Sequence, residues 1–439
     1  MKDAMIALCG GTVVELRPRR VRQVDIMVEG GRIVEVGEAP AGARRIDCAG
    51  TLVMPGLVCA HTHLYSALAR GMAPPPVAPT NFVEILERVW WKLDRALDAE
   101  LVEVSALLGA AEAARAGTTT LIDHHASPSC VADSLDVVAA AVERVGLRGV
   151  LAYEVSDRAG RDAARAGIAE NDRFLGSLEK TPRELLRGMV GAHAGFTIGH
   201  DTSVELADLA RRRDAGVHIH VAEDAADARH LVPARDASIV EWLESYRLLG
   251  PRSLVAHCVH VADEDVKRLV DSRTRIAHNP RSNMNNAVGY ARPDRFVDAG
   301  GQLVLGTDGI GADMLAEAFT AFLAARDHGR RFWDPLDALG ANQSLAAALF
   351  DEGIGRIEPG CAADLVVLDY DPPTPLDATN LLGHLLFGLG AATGHVRDLL
   401  VAGREVMRDG QLLTIDEAAL HARSRDAARR LWSCMAMSS

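Results

Sequence analysis

Two textures of apolar and polar positions alternate along this chain. Residues 1–54 carry short apolar alternations broken by glycine turns, at Gly10-Gly11, across 25–28, and through Gly30-Gly31-Arg32-Ile33-Val34. That pattern marks β-hairpins. It returns near the end, at 364–368 and at 399–406, where apolar runs surround Gly403. Neither piece is long enough to bury a core alone, so the two ends are expected to pair into one small β-sandwich.

Between the ends, apolar runs of strand length alternate with amphipathic stretches of helix length. Strands are expected at 56–61, 119–123, 149–153, 189–193, 217–221, 253–257, 275–278 and 303–306, with helices such as 99–116, 203–212 and 263–270 between them. Repeated strand–helix units of this number predict an α/β fold, a (β/α)8 TIM-like barrel. A doubly wound sheet is the rival architecture, but no GxGxxG follows a strand. Further helix is expected over 334–350 and 415–434. The proline-rich run 72–79 can be neither helix nor central strand, so it reads as a long loop after strand 1. The expected division is 1–54 plus 356–412 as the composite sandwich, 55–355 as the barrel, and 413–439 as a C-terminal helix.

Composition narrows the class. The chain has 439 residues, 48% hydrophobic and 24% charged, which is ordinary for a globular protein with a large core. Sixty acidic residues against 47 basic ones give a formal net charge of −13, a sign that repels nucleic acid. The first residues lack a signal-peptide pattern, and the apolar stretch 381–396 contains histidines and glycines, so no membrane span is expected. Seven cysteines are odd in number and never form CxxC, which predicts neither a disulfide framework nor a thiolate zinc cluster. A cytoplasmic setting follows from that usage.

The chemistry gathers at strand ends. His61-Thr62-His63 closes strand 1, and period-two alternation turns both imidazoles the same way. Strand 5 reads His218-Ile219-His220-Val221-Ala222-Glu223, strand 6 ends in His257, and strand 8 runs into Asp308-Gly309. Each feature alone has an ordinary explanation: polar residues leaving a strand, a packed histidine, or an Asp-Gly turn. Together they occupy the C-terminal ends of strands 1, 5, 6 and 8, where catalytic groups of this fold collect.

These stretches resemble the amidohydrolase superfamily, in its aminohydrolase and triazine-hydrolase-like branch. The resemblance also rests on Met54-Pro55-Gly56-Leu57, Gly117-Thr118-Thr119-Thr120, Asn279-Pro280-Arg281-Ser282-Asn283-Met284 and Gly360-Cys361-Ala362-Ala363-Asp364. His61-Thr62-His63-Leu64-Tyr65, with Trp90-Trp91 and Asp123-His124-His125, looks most like bacterial aminohydrolases associated by name with selenate metabolism. The resemblance implies one divalent metal held by His61, His63, His220 and Asp308, zinc by preference, with iron or manganese as alternatives. Strand 4 offers no lysine, which favours a single ion. The implied reaction is hydrolytic deamination of an amino-substituted heterocycle. Asp308 takes the proton of the attacking water, His257 orients the nucleophile, and Glu223 shuttles a proton to the ring nitrogen. Ring opening of a cyclic amide, or displacement of another leaving group, is the alternative, and a non-catalytic scaffold the remote one.

The resemblance also suggests a small heterocyclic substrate and a homodimer or higher homo-oligomer. His193, Asn283, Trp91 and His124 are the expected substrate contacts, with Trp91 suited to stacking on a ring. Asp123, His124 and His125 could instead line the pocket or support a second metal, although residues placed like these more often orient the ligands from behind. His200, His230, His260, His278, His328, His384, His395 and His421 are expected to be surface or packed imidazoles.

Overall fold

The computed structural model describes residues 5–227, 237–329, 333–391 and 395–437. His230 lies outside the described residues. All eight expected barrel strands form: β1 Leu57–Thr62, β2 Thr118–His125, β3 Arg148–Tyr153, β4 Val190–Ala194, β5 Val217–Val221, β6 Leu254–His257, β7 Arg275–His278 and β8 Gln302–Leu305. They run parallel in two arcs, β1–β3 (with the short strand Leu186–Gly188 beside β3) and β4–β8. The arcs meet at both edges through single bridges, Thr62 to Asp308 and Val155 to Ala192. Backbone bonds from Asp308 N to His61 O (3.0 Å) and from Met189 N to Leu151 O (3.0 Å) reinforce these seams.

Alternation along the strands sorts the core. Val58, Ala60, Ile122, Val150, Ala152 and Leu254 form the barrel interior, while Cys59, Leu121, Leu151, Ile219 and Val255 pack outward against the helices. Leu345 and Phe350 of the helix Pro335–Phe350 close the interior at the N-terminal end of the strands. Helices follow the strands as expected, for example Ala99–Arg115, which starts where the Asp98 carboxylate accepts from Leu101 N at 2.9 Å. After β1 the chain makes a long excursion before that helix. It includes the turn Leu64–Ala69 and a stretch over 71–80 that is neither helix nor strand.

The two chain ends share their sheets. One sheet runs, edge to edge, Gln411–Leu412, Arg404–Arg408, Val396–Val401, Leu365–Leu368, Leu52–Pro55, Thr12–Leu16 and Arg19–Gln23. A second contains Arg32–Gly37, Asp25–Glu29, Ile6–Cys9 and Arg44–Asp47. Leu8, Val13, Ile26, Val53, Leu365 and Val367 form the core they share, as a sandwich requires. The hairpin after Val401 turns through Ala402 and Gly403, at φ 46° and 71°, the left-handed pair that a two-residue hairpin needs. Arg148 of β3 joins sandwich to barrel. Fully buried, it donates from Nε to Asp364 at 2.7 Å and from a terminal nitrogen to Glu352 at 3.1 Å, while Asp364 also accepts from Ala402 N at 2.7 Å.

The helix Glu417–Met437 packs back over the excursion, where Trp432 Nε1 donates to Leu68 O at 3.0 Å. Among the described residues, no helix is long and apolar enough to cross a membrane.

Candidate active site and metal centre

Simple pleating would not bring all of the strand-end groups inward. Val58 and Ala60 face the interior and Cys59 faces out, so strict alternation would turn His61 outward. One extra residue of β1 between Cys59 and Thr62, relative to β2, restores His61 to the inside. Bulges of this kind re-aim side chains beside active sites. A second register shift falls between Ala192 and Ala194 of β4, at His193. His257 and Asp308 reach the interior by another device, a left-handed backbone with φ of 73° and 54°. Non-glycine residues there carry strain of about 1–3 kcal/mol each, which the surrounding structure must hold. Asp308 N is tied to His61 O, and Cys258 N to Val221 O at 2.9 Å.

Hydrogen bonding fixes which imidazole nitrogens are free. His63 Nδ1 donates to His124 O at 2.6 Å and His220 Nδ1 to His193 O at 2.7 Å, since a carbonyl can only accept. In the neutral rings both Nε2 atoms are then lone-pair donors, yet they face each other at 3.2 Å. Asp308 Oδ1 stands 3.0 Å from His63 Nε2 and 3.8 Å from His61 Nε2, and the latter is buried without a hydrogen-bond partner among the described residues. Lone pairs and a carboxylate crowded in this way repel one another unless a cation lies among them. The ligating atoms of His61, His63 and Asp308 lie within 4.8 Å of one another, as do those of His61, His220 and His257. The residues therefore fit a divalent metal, and their Nδ1–H to carbonyl bonds are the outer contacts that orient ligating histidines.

The electrostatics agree. Burial, then neighbouring imidazoles, hold His61 and His220 well below the ordinary histidine range, which leaves them neutral and able to ligate. His63 departs from them. Burial opposes its charge, but the Asp308 carboxylate overcomes this and pushes it up to about 9. Against the effect of burial, the same contact holds Asp308 far below the usual carboxylate range. A proton is drawn to the place where a metal ion would compete for it.

Above this cluster opens a cleft with an aromatic wall of Phe82, Trp90, Trp91 and Phe196. Glu223 lines it, with Oε2 3.5 Å from His257 Nε2 and Oε1 accepting from Asn286 Nδ2 at 3.2 Å. Burial raises the Glu223 carboxyl above its ordinary range. His257 Nε2 also lies 3.8 Å from Asp308 Oδ2, which accepts a hydrogen bond from Ser282 Oγ. The geometry thus brings together Glu223, His257 and Asp308, and beside them His61, His63 and His220.

The expected substrate contacts divide. His193 and Trp91 line the cleft; the Arg158 guanidinium lies 4.7 Å above the Trp91 ring. His124 does not line it. It is fully buried on β2, donating from Nε2 to His218 O at 3.1 Å, because it faces the barrel interior behind the cluster. Its neighbours face away: Asp123 accepts from Leu64 N at 2.7 Å and His125 Nε2 bonds Ser127 at 2.9 Å. Asn283 does not line the cleft either. The helix Pro280–Asn285 holds it behind His257, where its Oδ1 accepts from His257 Nδ1 at 2.9 Å.

Sequence reasoning missed Glu154. Buried at the end of β3, it lines the cleft, with its carboxylate 3.4 Å from His124 Nδ1, 3.7 Å from His193 Nε2 and 3.6 Å from Arg158. The signal was available: Val150 and Ala152 face inward, and the next inward position is 154.

A barrel with a histidine and carboxylate cluster at its C-terminal mouth defines a metal-dependent hydrolase class, and the chain belongs to the amidohydrolase family, whose model matches residues 52–406. A 5-methylthioadenosine/S-adenosylhomocysteine deaminase of Nitratidesulfovibrio vulgaris is 32% identical, over 98% of this chain and 93% of its own. A 5'-deoxyadenosine deaminase of Methanocaldococcus jannaschii is 28% identical, over 92% and 96%. Among solved structures, an adenosine deaminase from Xanthomonas campestris with bound zinc superposes with a TM-score of 0.84 at 26% identity, covering 98% of each chain.

Proposed function

We propose that this protein is a metal-dependent hydrolytic deaminase of an amino-substituted purine nucleoside, such as a 5'-substituted adenosine. The observation that carries the reading is the convergence of His61, His63, His220 and Asp308 beside a proton-holding pair, Glu223 and His257. The aromatic wall of the cleft suits a flat heterocycle. The relatives named as adenosine-type deaminases support the substrate class. A single zinc ion suits three imidazoles and one carboxylate, and β4 carries no lysine to bridge a second ion. The resemblance supports a homo-oligomer, and the scattered cysteines, never in CxxC, support a cytoplasmic setting.

A bound divalent ion would supply Lewis acidity, making water nucleophilic near neutral pH. The protein manages the protons. Asp308 accepts one from the attacking water while the hydroxyl adds to the amino-bearing carbon. Glu223, whose carboxyl burial raises above its ordinary range, protonates the adjacent ring nitrogen. On collapse, the proton on Asp308 passes to the amino group and the hydroxyl proton returns to Glu223. The carbon–nitrogen bond breaks, ammonia leaves, and an oxo heterocycle remains. His257 is held by Asn283 with Nε2 towards both carboxylates, where it steadies the developing charge.

The test is ammonia release from a panel of adenosine derivatives, guanine and cytosine by zinc-loaded protein. Release from at least one adenosine derivative is expected. Ring opening of a cyclic amide, or loss of another leaving group, with no ammonia from any member would overturn the reading.

A further inference from the structure

A second cavity lies behind the active site, between the end of β7, the helix Pro280–Asn285 and the helix Met314–Asp327. Its lining includes His278, Asn283, Met284, Tyr290, Leu323 and Ala324. Thr320 and Asp327 also line it, but most of the wall is apolar or flat: Tyr290 stacks on His328 with ring centroids 4.2 Å apart and planes at 14°, and Leu323 and Met284 form an exposed apolar rim. The polar groups of the lining are unusual. His278 is 1% exposed, yet neither ring nitrogen has a hydrogen-bond partner among the described residues. Asn283 is 2% exposed and its Nδ2 likewise has no partner among the described residues. Buried polar atoms left unpaired in this way are costly, and a ligand that pairs them recovers that cost.

Together these groups offer a defined pattern. Burial keeps the His278 ring neutral, so it presents one N–H donor and one acceptor, and Asn283 adds an amide donor. Asn283 has a second contact, because its Oδ1 accepts from His257 Nδ1 at 2.9 Å. One amide therefore stands between the cavity and the imidazole assigned to the reaction.

We propose that this cavity binds a flat, uncharged molecule with an amide-like edge, a donor beside an acceptor, and that its occupancy is felt at His257 through Asn283. Only the effect on turnover rests on the deaminase reading; binding does not.

The probe is 2-pyridone, titrated into the zinc-loaded full-length protein by calorimetry, with N-methyl-2-pyridone and benzoate as controls. Binding of 2-pyridone is expected, weakened about tenfold by loss of the N–H donor and abolished for the anion. Ala324→Phe, which fills the cavity, and Met284→Trp, a rim change that spares the core, should each remove binding. In turnover assays 2-pyridone should lower kcat with KM unchanged. No uptake by the wild-type protein, or uptake that survives both substitutions and competes with substrate, would overturn the proposal. Should no substrate be turned over, the calorimetry still decides the site, and the failure belongs to the deaminase reading alone.

Discussion

The two ends of the barrel interior are built on opposite principles. At the N-terminal end of the strands, Val58, Ile122, Val150, Leu254 and Val304 pack against Leu345 and Phe350, and the nearby Arg148 charge is matched by Asp364 and Glu352. At the C-terminal end, buried imidazoles and carboxylates crowd together, several ring nitrogens lack partners among the described residues, and Ala222, His257, Cys258 and Asp308 hold left-handed backbone. One end lowers the free energy of the fold; the other is tolerated because the first does so. Function is placed where local structure is least content.

Substitutions should separate these ends cleanly. The largest effect is expected from His220→Ala, which should abolish both metal content and turnover, as read by elemental analysis and ammonia release. Glu223→Gln should keep the metal and melting temperature but lower kcat by about 10²–10⁴-fold. Full activity in this variant would remove Glu223 from the proton path. At the other end, Arg148→Ala leaves Asp364 as an uncompensated buried charge and should cost about 3–5 kcal/mol in denaturant unfolding, with kcat of the folded fraction unchanged. A kcat loss larger than the stability loss would show that the two ends are not independent.

The smallest predicted effect concerns pH. Burial pushes the Asp123 carboxyl up to about 7, against the opposing bond from Leu64 N. The native state therefore binds this proton more tightly than the unfolded chain does. The stability it confers is full below about pH 4 and is lost as pH rises towards 7. Asp123→Asn should flatten that slope by about 1–3 kcal/mol between pH 4 and 7 in denaturant titrations. An unchanged slope would assign it to other carboxyls.

Much of this was legible in the sequence because the barrel strands are short apolar runs with strong alternation, such as Val217–Val221, where Val217, Ile219 and Val221 form the outward apolar face and His218 and His220 alternate with them to the inside. Alternation fails where the backbone departs from it. Nothing in the residue pattern marks the bulge that turns His61 inward or the φ of 73° at His257. His124 was expected in the pocket because Asp123-His124-His125 reads as one cluster, whereas the pleat sends only the middle residue to the interior. Glu154 escapes the sequence reading because it is the first residue beyond strand 3, which ends at Tyr153 as expected, although the inward set of Val150 and Ala152 continues to it. Asn283 was read as a pocket residue, but a single turn of helix after β7 puts it behind His257.

The seam between β1 and β8 has a consequence for how this chain matures. The bond from Asp308 N to His61 O joins positions that are among the last and the first of the barrel to leave a ribosome. Contacts of such long sequence separation form late, after the loop entropy of the intervening chain has been overcome. Since His61, His63 and Asp308 sit on that seam and His220 lies midway along the chain, no nascent fragment that stops before Asp308 holds the full set. The full set of metal-competent groups therefore exists only once the chain has been made through Asp308 and β1 and β8 have met.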